Sequence, residues 1–308
     1  MKKKDRIVIF ALPGNEFIAN RLSESLEAEK GQAEFRAFPD GESYVRVLSD
    51  VSDKKAVVIC SLDKPNDKFL PLYFLCRGLE EMGANNICLV APYLAYMRQD
   101  KAFNPGESVT SEHFGELISS TVDSLVTVDP HLHRRASLSE IYSIPNEVVH
   151  AADLIFEWIT QNVENPILIG PDSESEQWVA DVAQKANIPF TVLQKIRHGD
   201  ADVEVSVPEI EKYMNHTPIL IDDIISTART MIETVRHLEG LGMKPAVCIG
   251  VHAVFADDAL KDLLGTGIER IVTCNSIPHT TNDIDISELF VDFVSRIEGV
   301  QQSAALEQ

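Results

Sequence analysis

The feature that most constrains the fold is an alternation between short Val- and Ile-rich runs and longer segments of helical periodicity. The apolar runs cover residues 6–12, 56–62, 86–93, 124–130, 166–172, 218–224, 246–255 and 270–277. Helical periodicity occupies the residues near 15–28, 67–82, 110–121, 151–163, 173–187, 228–240 and 285–297. This pattern is typical of parallel strands joined by crossover helices. The sequence therefore predicts an α/β protein with mainly parallel sheets flanked by helices.

An internal match indicates that the chain is built from two similar halves. Residues 75–90 (LCRGLEEMGANNICLV) and 234–250 (TVRHLEGLGMKPAVCIG) align at a constant offset, with Gly83 opposite Gly242. Each reads as a helix end, a glycine turn and a strand, so a chance similarity between two ordinary α/β units is the alternative. A chain of 308 residues is long enough for two domains, and we predict domains at 1–148 and 149–308.

Charge and composition exclude several classes of protein. Apolar residues make up 44% of the chain and charged residues 24%, as in ordinary globular proteins rather than disordered or fibrous ones. The formal net charge is −21, from 48 acidic and 27 basic residues, so nucleic acid and anionic membranes would be repelled. We expect neither as a partner, and anionic ligands only where cations or backbone amides reverse the local field.

The cysteines and the N-terminus favour a reducing compartment. The five cysteines are widely spaced, odd in number and without a C-x-x-C pair, which favours reduced core residues over disulfides or a zinc site. The N-terminal stretch MKKKDRIVIFALPG has too short an apolar run before Pro13 for a secretory signal peptide. We therefore expect a cytoplasmic protein.

The stretch ILIDDIISTARTM, at residues 219–231, places polar chemistry at the end of a predicted buried strand. Asp222 and Asp223 point to opposite faces, so only one of them is expected to face a ligand at the carboxyl edge of the sheet. The hydroxyl side chains that follow are Ser226, Thr227 and Thr230. They lie where a helix N-terminus exposes amides that suit a phosphate. A helix cap would explain one hydroxyl but not the acid pair, so the stretch favours a phosphorylated sugar.

This stretch resembles the phosphoribosyl pyrophosphate binding loop of type I phosphoribosyltransferases and ribose-phosphate pyrophosphokinases, whose pattern is close to D-D-[ILM]-I-[DS]-T-[AG]-G-T. The loop alone does not separate the two families. Four more segments match the pyrophosphokinases in chain order: FPDGESYVRV (38–47), APYLAYMRQDKAFNPGE (91–107), VDPHLH (128–133) and LQKIRHGD (193–200). The resemblance covers residues from about 8 to 295 and implies two tandem type I phosphoribosyltransferase-like domains.

The resemblance assigns the first two of these segments to ATP. The FPDGE turn carries two acids and a Phe, which suit stacking on adenine and hydrogen bonds from its amine, although an ordinary surface turn has the same composition. The adenine-binding residues implied are Phe38, Asp40, Gly41 and Glu42. Arg98 and Gln99 of YMRQDK would contact the nucleotide, and a solvated loop is the alternative.

The resemblance also implies Mg²⁺ as the cofactor. His131 would be one ligand, with Asp172 contributing on the ribose-phosphate side. Mg²⁺ prefers oxygen ligands, so part of the imidazole contact is expected to run through water, and His133 is a rival on sequence alone.

Lys195 and Arg197 would be the catalytic pair. They stand two residues apart, hence on one side of an extended segment. Pyrophosphoryl transfer needs positive charge on the β-phosphoryl group in the transition state, which this pair would supply without a covalent step. A structural ion pair is the alternative. The residues implied for ribose 5-phosphate are Asp222, Asp223, Ser226, Thr227, Ala228, Arg229 and Thr230.

Four positions or segments depart from the family pattern. Arg229 replaces a Gly, Ser226 replaces a common Asp, and PDSES (171–175) lacks the usual Gly. The run HLHRRASL also lacks the Gln- and Gly-containing sequence typical after the metal-binding His. A side chain next to a bound phosphate must point away, so Arg229 either points outward or binds the 5-phosphate itself. The departures predict a divergent member of the family.

The activity implied is transfer of the pyrophosphoryl group of ATP to the C1 hydroxyl of ribose 5-phosphate, giving phosphoribosyl pyrophosphate and AMP. In the family a neighbouring subunit completes the adenine pocket, so the resemblance implies a homo-oligomer, at least a dimer and commonly a tetramer or hexamer. One alternative is a catalytically weak or silent regulatory homologue, which would be expected to lose the Lys-x-Arg pair. The other is a phosphoribosyltransferase, which would need neither FPDGE nor RQD.

Overall fold

A computed structural model describes residues 7–132, 134–170, 179–180, 183, 188–197 and 203–296, with only the backbone described at 194–197 and 203–206. The described chain forms two compact units, one of residues 7–150 with 286–296 and the other of residues 151–285. The first boundary lies two residues from the predicted one. The prediction that everything after residue 148 belongs to the second domain is wrong for the segment from Ile286 to Arg296.

The first unit is built on a six-stranded parallel sheet, in the order β2-β1-β5-β6-β7-β8. Its elements are β1 (Ile7–Ala11), α1 (Glu16–Ser25), β2 (Glu29–Lys30), β3 (Ala33–Ala37), β4 (Ser43–Val47), β5 (Lys55–Ile59), α2 (Pro65–Glu81), β6 (Asn86–Ala91), α3 (Thr110–Ser119), β7 (Ser124–Val128) and β8 (Asn146–Val149), with a 3₁₀ turn at Leu138–Glu140. The central strands are buried along their length, as expected when helices cover both faces of a parallel sheet. β3 and β4 form a separate antiparallel hairpin.

The second unit repeats this plan with the order β10-β9-β13-β14-β15-β16, again all parallel. Its elements are α4 (Ala152–Asn162), β9 (Pro166–Gly170), β10 (Phe190–Val192), β11 (Gln194–Arg197), β12 (Val203–Ser206), β13 (Thr217–Ile225), α5 (Arg229–Gly240), β14 (Val247–Ala253), α6 (Ala259–Leu264), β15 (Arg270–Cys274) and β16 (Asn282–Ile284), with a 3₁₀ turn at Ile210–Tyr213. β11 and β12 form an antiparallel hairpin outside the sheet.

The aligned segments of the sequence adopt the same local structure in both units. Gly83 ends α2 with φ of 87° and Gly242 ends α5 with φ of 79°, both in the left-handed region that glycine adopts without strain. Both sheets share one strand order, and each unit carries a hairpin in the same place along the chain. The tandem α/β plan predicted from the sequence is confirmed.

The eight predicted strands are present as far as the structure describes them. The strand predicted at 166–172 is described as far as Gly170, and the predicted helix at 173–187 lies almost entirely outside the described residues. The strands that the sequence did not predict are the short β2, β3, β4, β8, β10, β11, β12 and β16. Most of these strands carry charged or polar residues and lie at sheet edges or in hairpins, so they lack a continuous apolar run.

A C-terminal segment returns to the first unit through a 3₁₀ turn at Ser287–Phe290 and α7 (Val291–Arg296). The buried ammonium of Lys55 donates to the carbonyl of Val294 at 2.6 Å. Ser25 donates to Glu288 at 2.6 Å. A buried charge is costly unless it is hydrogen-bonded, so the Lys55 contact explains why this segment belongs to the first unit.

All five cysteines are free and buried, as predicted from their spacing. Burial raises the pKa of the Cys60 and Cys248 thiols to about 12, so these side chains behave as small apolar core residues. Within the described part of the chain, no helix is both long enough and apolar enough to cross a membrane.

Candidate functional site

The acid pair lies at the carboxyl end of β13, where the sequence predicted it. The strand continues past both carboxylates to Ile225, and Asp222 stands opposite Gly250 of β14 in the parallel register. A Cβ added to Gly250 would lie 2.5 Å from Cγ1 of Ile225, so only glycine leaves room for that side chain. Gly250 therefore holds the end of the acid-bearing strand in position, a role that sequence patterns do not reveal.

The carboxylates of Asp222 and Asp223 are both half-buried. The backbone N–H of Asp223 donates to Oδ1 of Asp222 at 2.9 Å. One oxygen of Asp222 thus accepts a local hydrogen bond that orients the carboxylate relative to its own strand.

The loop after β13 turns directly into the N-terminus of α5. The loop is held by two hydrogen bonds from the segment after β14: Phe255 donates to the carbonyl of Ile225 at 2.9 Å, and Ala256 to that of Ser226 at 3.1 Å. Because the first N–H groups of a helix have no partner within the helix, α5 presents backbone donors beside the side chains of Ser226, Thr227 and Thr230.

Arg229 occupies a position where the backbone does not require glycine. The left-handed residue of the loop is Ala228, with φ of 55°, and Arg229 is already the first residue of α5. The carbonyl of Ala228 accepts the first helical hydrogen bond, from Ile232 at 2.9 Å. The Arg229 side chain is exposed. An exposed guanidinium fits both alternatives for this side chain, so both stay predictions.

The predicted catalytic pair lies in the hairpin of β11 and β12. Lys195 pairs with Val205 and Arg197 with Val203 in the antiparallel register. The extended backbone places the two residues on the same face of β11, as their spacing predicted. Asp172, the predicted metal ligand of this unit, lies outside the described residues.

The predicted adenine-binding turn is the tip of the hairpin of β3 and β4. Phe38 donates to the carbonyl of Glu42 at 2.7 Å, and Gly41 to that of Phe38 at 2.9 Å. Gly41 has φ of 92°, the left-handed conformation that hairpin turns of this length require. Asp40 Oδ1 accepts from the N–H of Glu42 at 3.3 Å. The turn therefore projects an exposed Phe and two exposed carboxylates from one rigid tip.

Arg36 is a neighbour of this tip that sequence reasoning missed. Its guanidinium carbon lies 4.6 Å from the ring centre of Phe38 and 3.9 Å from that of Tyr44. The two rings meet edge to face with centroids 6.0 Å apart. The cation–π contacts hold the Phe38 ring in place while leaving it 39% exposed. Alternate side chains of a strand share one face, so the Arg36–Phe38 spacing was the available signal.

Arg98 and Gln99 lie in the loop between β6 and α3. Arg98 is exposed and Gln99 half-buried. Oε1 of Gln99 accepts from the hydroxyl of Thr110 at 3.0 Å, and its carbonyl accepts from the N–H of Ser111 at 3.3 Å. The first turn of α3 thus orients the Gln99 amide.

His131 follows the carboxyl end of β7 and is half-buried. Two residues earlier, Asp129 is buried and has φ of 35°, an unusual conformation for a residue other than glycine. Its Oδ1 lies 2.7 Å from Nδ1 of His150. Among the described residues no three His, Cys, Asp or Glu side chains cluster as a ready metal cage, and the rival His133 is outside them.

The edge of the second sheet beyond the acid pair holds a group of aromatic and hydroxyl side chains that the sequence did not single out. Phe255 stacks on His279 with ring centroids 4.8 Å apart, and Nδ1 of His279 lies 2.8 Å from the hydroxyl of Thr281. Burial lowers the pKa of His279. Since the backbone N–H of Phe255 also donates to the carbonyl of Ile225, this group supports the loop that follows β13.

Comparisons with known proteins show the family to which the chain belongs. The family model described as the N-terminal domain of ribose phosphate pyrophosphokinase matches residues 7–121, and the phosphoribosyl transferase domain model matches residues 137–286. A ribose-phosphate pyrophosphokinase of Methanopyrus kandleri is 30% identical over 95% of this chain and 100% of its own length. That of Sulfolobus acidocaldarius is 31% identical over 94% of this chain and 100% of its own length.

One solved structure shows the same fold. The phosphoribosylpyrophosphate synthetase from Mycobacterium smegmatis superposes with a TM-score of 0.83 at 22% identity, covering 94% of this chain and 98% of the other. The tandem arrangement of two parallel-sheet α/β units is therefore shared with that protein.

Proposed function

The chain belongs to the ribose-phosphate pyrophosphokinase family, and we propose that it transfers the pyrophosphoryl group of ATP to the C1 hydroxyl of ribose 5-phosphate, releasing AMP. The product is phosphoribosyl pyrophosphate. The observation that carries this proposal is the end of β13, where two carboxylates, a left-handed Ala228 and a helix N-terminus follow one another. That arrangement supplies acceptors for sugar hydroxyls and donors for a phosphate within one short segment.

The ribose 5-phosphate site is assigned to this segment. The 5-phosphate binds to the amides that open α5 and to the hydroxyls of Ser226, Thr227 and Thr230. Asp222 and Asp223 accept hydrogen bonds from the ribose hydroxyls, directly or through a metal ion. The exposed guanidinium of Arg229 adds positive charge at the mouth of the loop, in a chain with a net charge of −21.

The ATP site is assigned to two segments of the first unit. The exposed ring of Phe38 stacks on adenine, and Asp40 and Glu42 accept hydrogen bonds from its exocyclic amine. The oriented amide of Gln99 and the exposed Arg98 bind the remainder of the nucleotide.

In the transfer step the anomeric oxygen of the sugar attacks the β-phosphorus of ATP. The bond between that phosphorus and the oxygen bridging to the α-phosphate breaks, so AMP leaves with the electron pair. The hydroxyl proton is lost to solvent or to a nearby carboxylate. Lys195 and Arg197 stabilise the negative charge on the transferring group, and no covalent enzyme intermediate is required.

Mg²⁺ is the proposed cofactor, with His131 and Asp172 as ligands from the chain. Mg²⁺ in nucleotide enzymes keeps several waters and takes few protein ligands besides the substrate phosphates, so two ligands from the chain are enough for this use. When bound, the ion neutralises phosphate charge. The buried Asp129, two residues before His131 in the chain, adds negative charge that favours a cation there.

We further propose a cytoplasmic homo-oligomer, dimer-based and forming a tetramer or hexamer. Five buried, free thiols suit a reducing compartment. The adenine-binding hairpin projects an exposed aromatic tip, which suits the completion of an adenine pocket by a second subunit.

A direct assay tests the function. Purified protein is incubated with Mg²⁺, ATP and ribose 5-phosphate, and AMP and phosphoribosyl pyrophosphate are followed together. Equal amounts of both products are expected. Consumption of phosphoribosyl pyrophosphate with a free base would indicate a phosphoribosyltransferase, and no product across varied metal and phosphate concentrations would contradict the enzyme assignment.

A further inference from the structure

The buried carboxylate of Asp100 joins two loops. One lies between β6 and α3 and carries Arg98 and Gln99, and is called the nucleotide loop; the other follows β7 and is called the His131 loop. Nη1 of Arg134 donates to both oxygens of Asp100, at 3.2 and 3.3 Å. Nη2 of Arg135 donates to the backbone carbonyl of Asp100 at 3.4 Å. These residues stand 34 and 35 positions apart in the sequence. Two loops that would otherwise move separately are thereby held together next to the residues assigned to ATP.

The first turn of α3 is a common anchor for both loops. Thr110 and Ser111 donate to the side chain and backbone of Gln99, at 3.0 and 3.3 Å. Nη2 of Arg135 also donates to Oε1 of Glu112, at 2.6 Å. Each loop is therefore attached both to the helix and to the other loop. Such a closed arrangement fixes positions more firmly than one contact would.

Charge explains why Arg134 matters for a nucleotide. The Asp100 side chain is only 2% exposed, whereas that of Arg134 is 37% exposed. A buried carboxylate without a partner is costly, and its negative charge would lie directly beside residues assigned to a polyanion. Arg134, whose side chain is the more exposed of the two, compensates this charge from the solvent side.

We propose that Asp100, Arg134 and Arg135 are positioning residues that hold the nucleotide loop against the His131 loop and thereby set the affinity for MgATP, without affecting the affinity for ribose 5-phosphate. The inference rests on the proposed roles of Arg98, Gln99 and His131. Arg134 and Arg135 lie in the run HLHRRASL, which departs from the sequence typical of the family after the metal-binding His.

Three variants of the full-length protein test the proposal: Arg134→Ala, Asp100→Asn and the double variant. Steady-state kinetics give KM for MgATP and, separately, KM for ribose 5-phosphate. Calorimetry gives Kd for the analogue α,β-methylene-ATP with Mg²⁺, which carries no transferable group. We expect each single variant to raise KM and Kd for the nucleotide about tenfold and to leave KM for the sugar phosphate within about twofold.

The double variant separates positioning from independent binding. Both single changes break the same contact, so the double variant is expected to be no weaker than the worse single one. Arg134→Lys keeps the charge but loses the planar geometry, and we expect it to recover part of the nucleotide affinity. If Arg134→Ala does not fold, Arg134→Lys and the double variant, which leaves no buried unpaired carboxylate, carry the same comparison.

Arg77→Ala is the matched control, because Arg77 forms an exposed pair with Glu80 on α2 at 2.6 Å and has no assigned role. It should leave every constant unchanged. Unchanged nucleotide constants in Arg134→Ala, equal losses for both substrates, or additive losses in the double variant would each overturn the proposal. Failure of the proposed function is distinguishable, since a wild-type protein that binds the analogue but forms no AMP would still report the effect on Kd.

Discussion

The two units share one plan and differ at one strand end. Their sheets have the same strand order, and α2 and α5 both follow a non-glycine residue in the left-handed conformation, Lys64 with φ of 52° and Ala228 with φ of 55°. α2 has 17 residues and α5 has 12. A single sequence offset therefore aligns either the helix starts or the helix ends of the two copies, but not both. This explains why the sequence match was confined to the helix end and the following strand.

The difference lies in what fills the turn between strand and helix. After β5, the Asp63 carboxylate pairs with the ammonium of Lys68, which also donates to the carbonyl of Ser61 at 2.9 Å. After β13, the chain places two carboxylates and a row of hydroxyls instead. One turn satisfies its charge internally, whereas the other is rich in groups that suit a ligand. A shared fold therefore does not make both turns binding sites.

The largest effect is expected from substitutions in the hairpin of β11 and β12, compared with a substitution in the hairpin of β3 and β4. Lys195→Ala or Arg197→Ala should lower kcat by about 10²–10³-fold, because charge on the transferring group is lost. Phe38→Ala in the first hairpin should instead raise KM for ATP by about tenfold with a smaller change in kcat. Steady-state kinetics with each substrate varied measure both. A KM effect alone in Lys195→Ala would contradict the catalytic assignment.

A second comparison replaces one acidic residue in each unit, one at the end of β13 and one after β5. Asp222→Asn should lower kcat/KM for ribose 5-phosphate by about 10²-fold, since the carboxylate accepts the sugar hydroxyls. Asp63→Asn should leave kcat/KM unchanged and lower the free energy of unfolding by about 1 kcal/mol at most, because it removes only a partly exposed ion pair. Kinetics and urea unfolding report the two quantities. Equal loss of activity in both variants would mean that the turns are not functionally distinct.

Two glycines compare tight packing in the two units. An alanine Cβ at Gly250 would meet Ile225, and one at Gly31 would lie 2.6 Å from the Phe10 ring. Both variants should lose roughly 1–3 kcal/mol of unfolding free energy through overpacking. Only Gly250→Ala should also raise KM for ribose 5-phosphate, since Ile225 directly precedes the residues 226–230 assigned to the 5-phosphate. A normal KM in Gly250→Ala would show that the loop tolerates movement of its strand.

A smaller effect is expected at the left-handed residues. Ala228→Gly and Lys64→Gly should each be neutral or stabilising by up to about 1 kcal/mol, because glycine relieves the strain at positive φ. Arg229→Gly, which would restore the glycine of the family pattern, should lower the free energy of unfolding by up to about 1 kcal/mol, because glycine is unfavourable in the first turn of α5. Thermal unfolding of the three variants checks the order. Stabilisation by Arg229→Gly would show that the strain lies one residue later.

The smallest effect concerns the protonation of His279, in the second unit. Burial lowers its pKa below the ordinary value of 6.5. Below about pH 6.5 the unfolded chain binds the proton more readily, so stability should fall with falling pH. His279→Gln should flatten this dependence in urea unfolding measured between about pH 5 and pH 7. An unchanged slope would place the pH sensitivity elsewhere.

The sequence predicted what depends on local pattern. Continuous apolar runs identify the central strands. The acids of β13 were recognised as a candidate site because they interrupt such a run, where a buried strand would exclude charged residues. The left-handed residue of the loop was not predicted, because the departure from the family pattern is at Arg229 whereas the positive φ lies at Ala228. The contact of Asp100 with Arg134 was beyond reach, since no periodicity relates residues so distant in sequence.

The return of the C-terminal segment has a consequence for biosynthesis. Lys55 of β5 gains its hydrogen bond to the carbonyl of Val294 only after the whole second unit has been synthesised. Domains of a growing chain generally fold in order from the N-terminus. Because residues 286–296 belong to the first unit but follow the second in the chain, we expect the first unit to gain its full set of contacts only after the second unit has been synthesised.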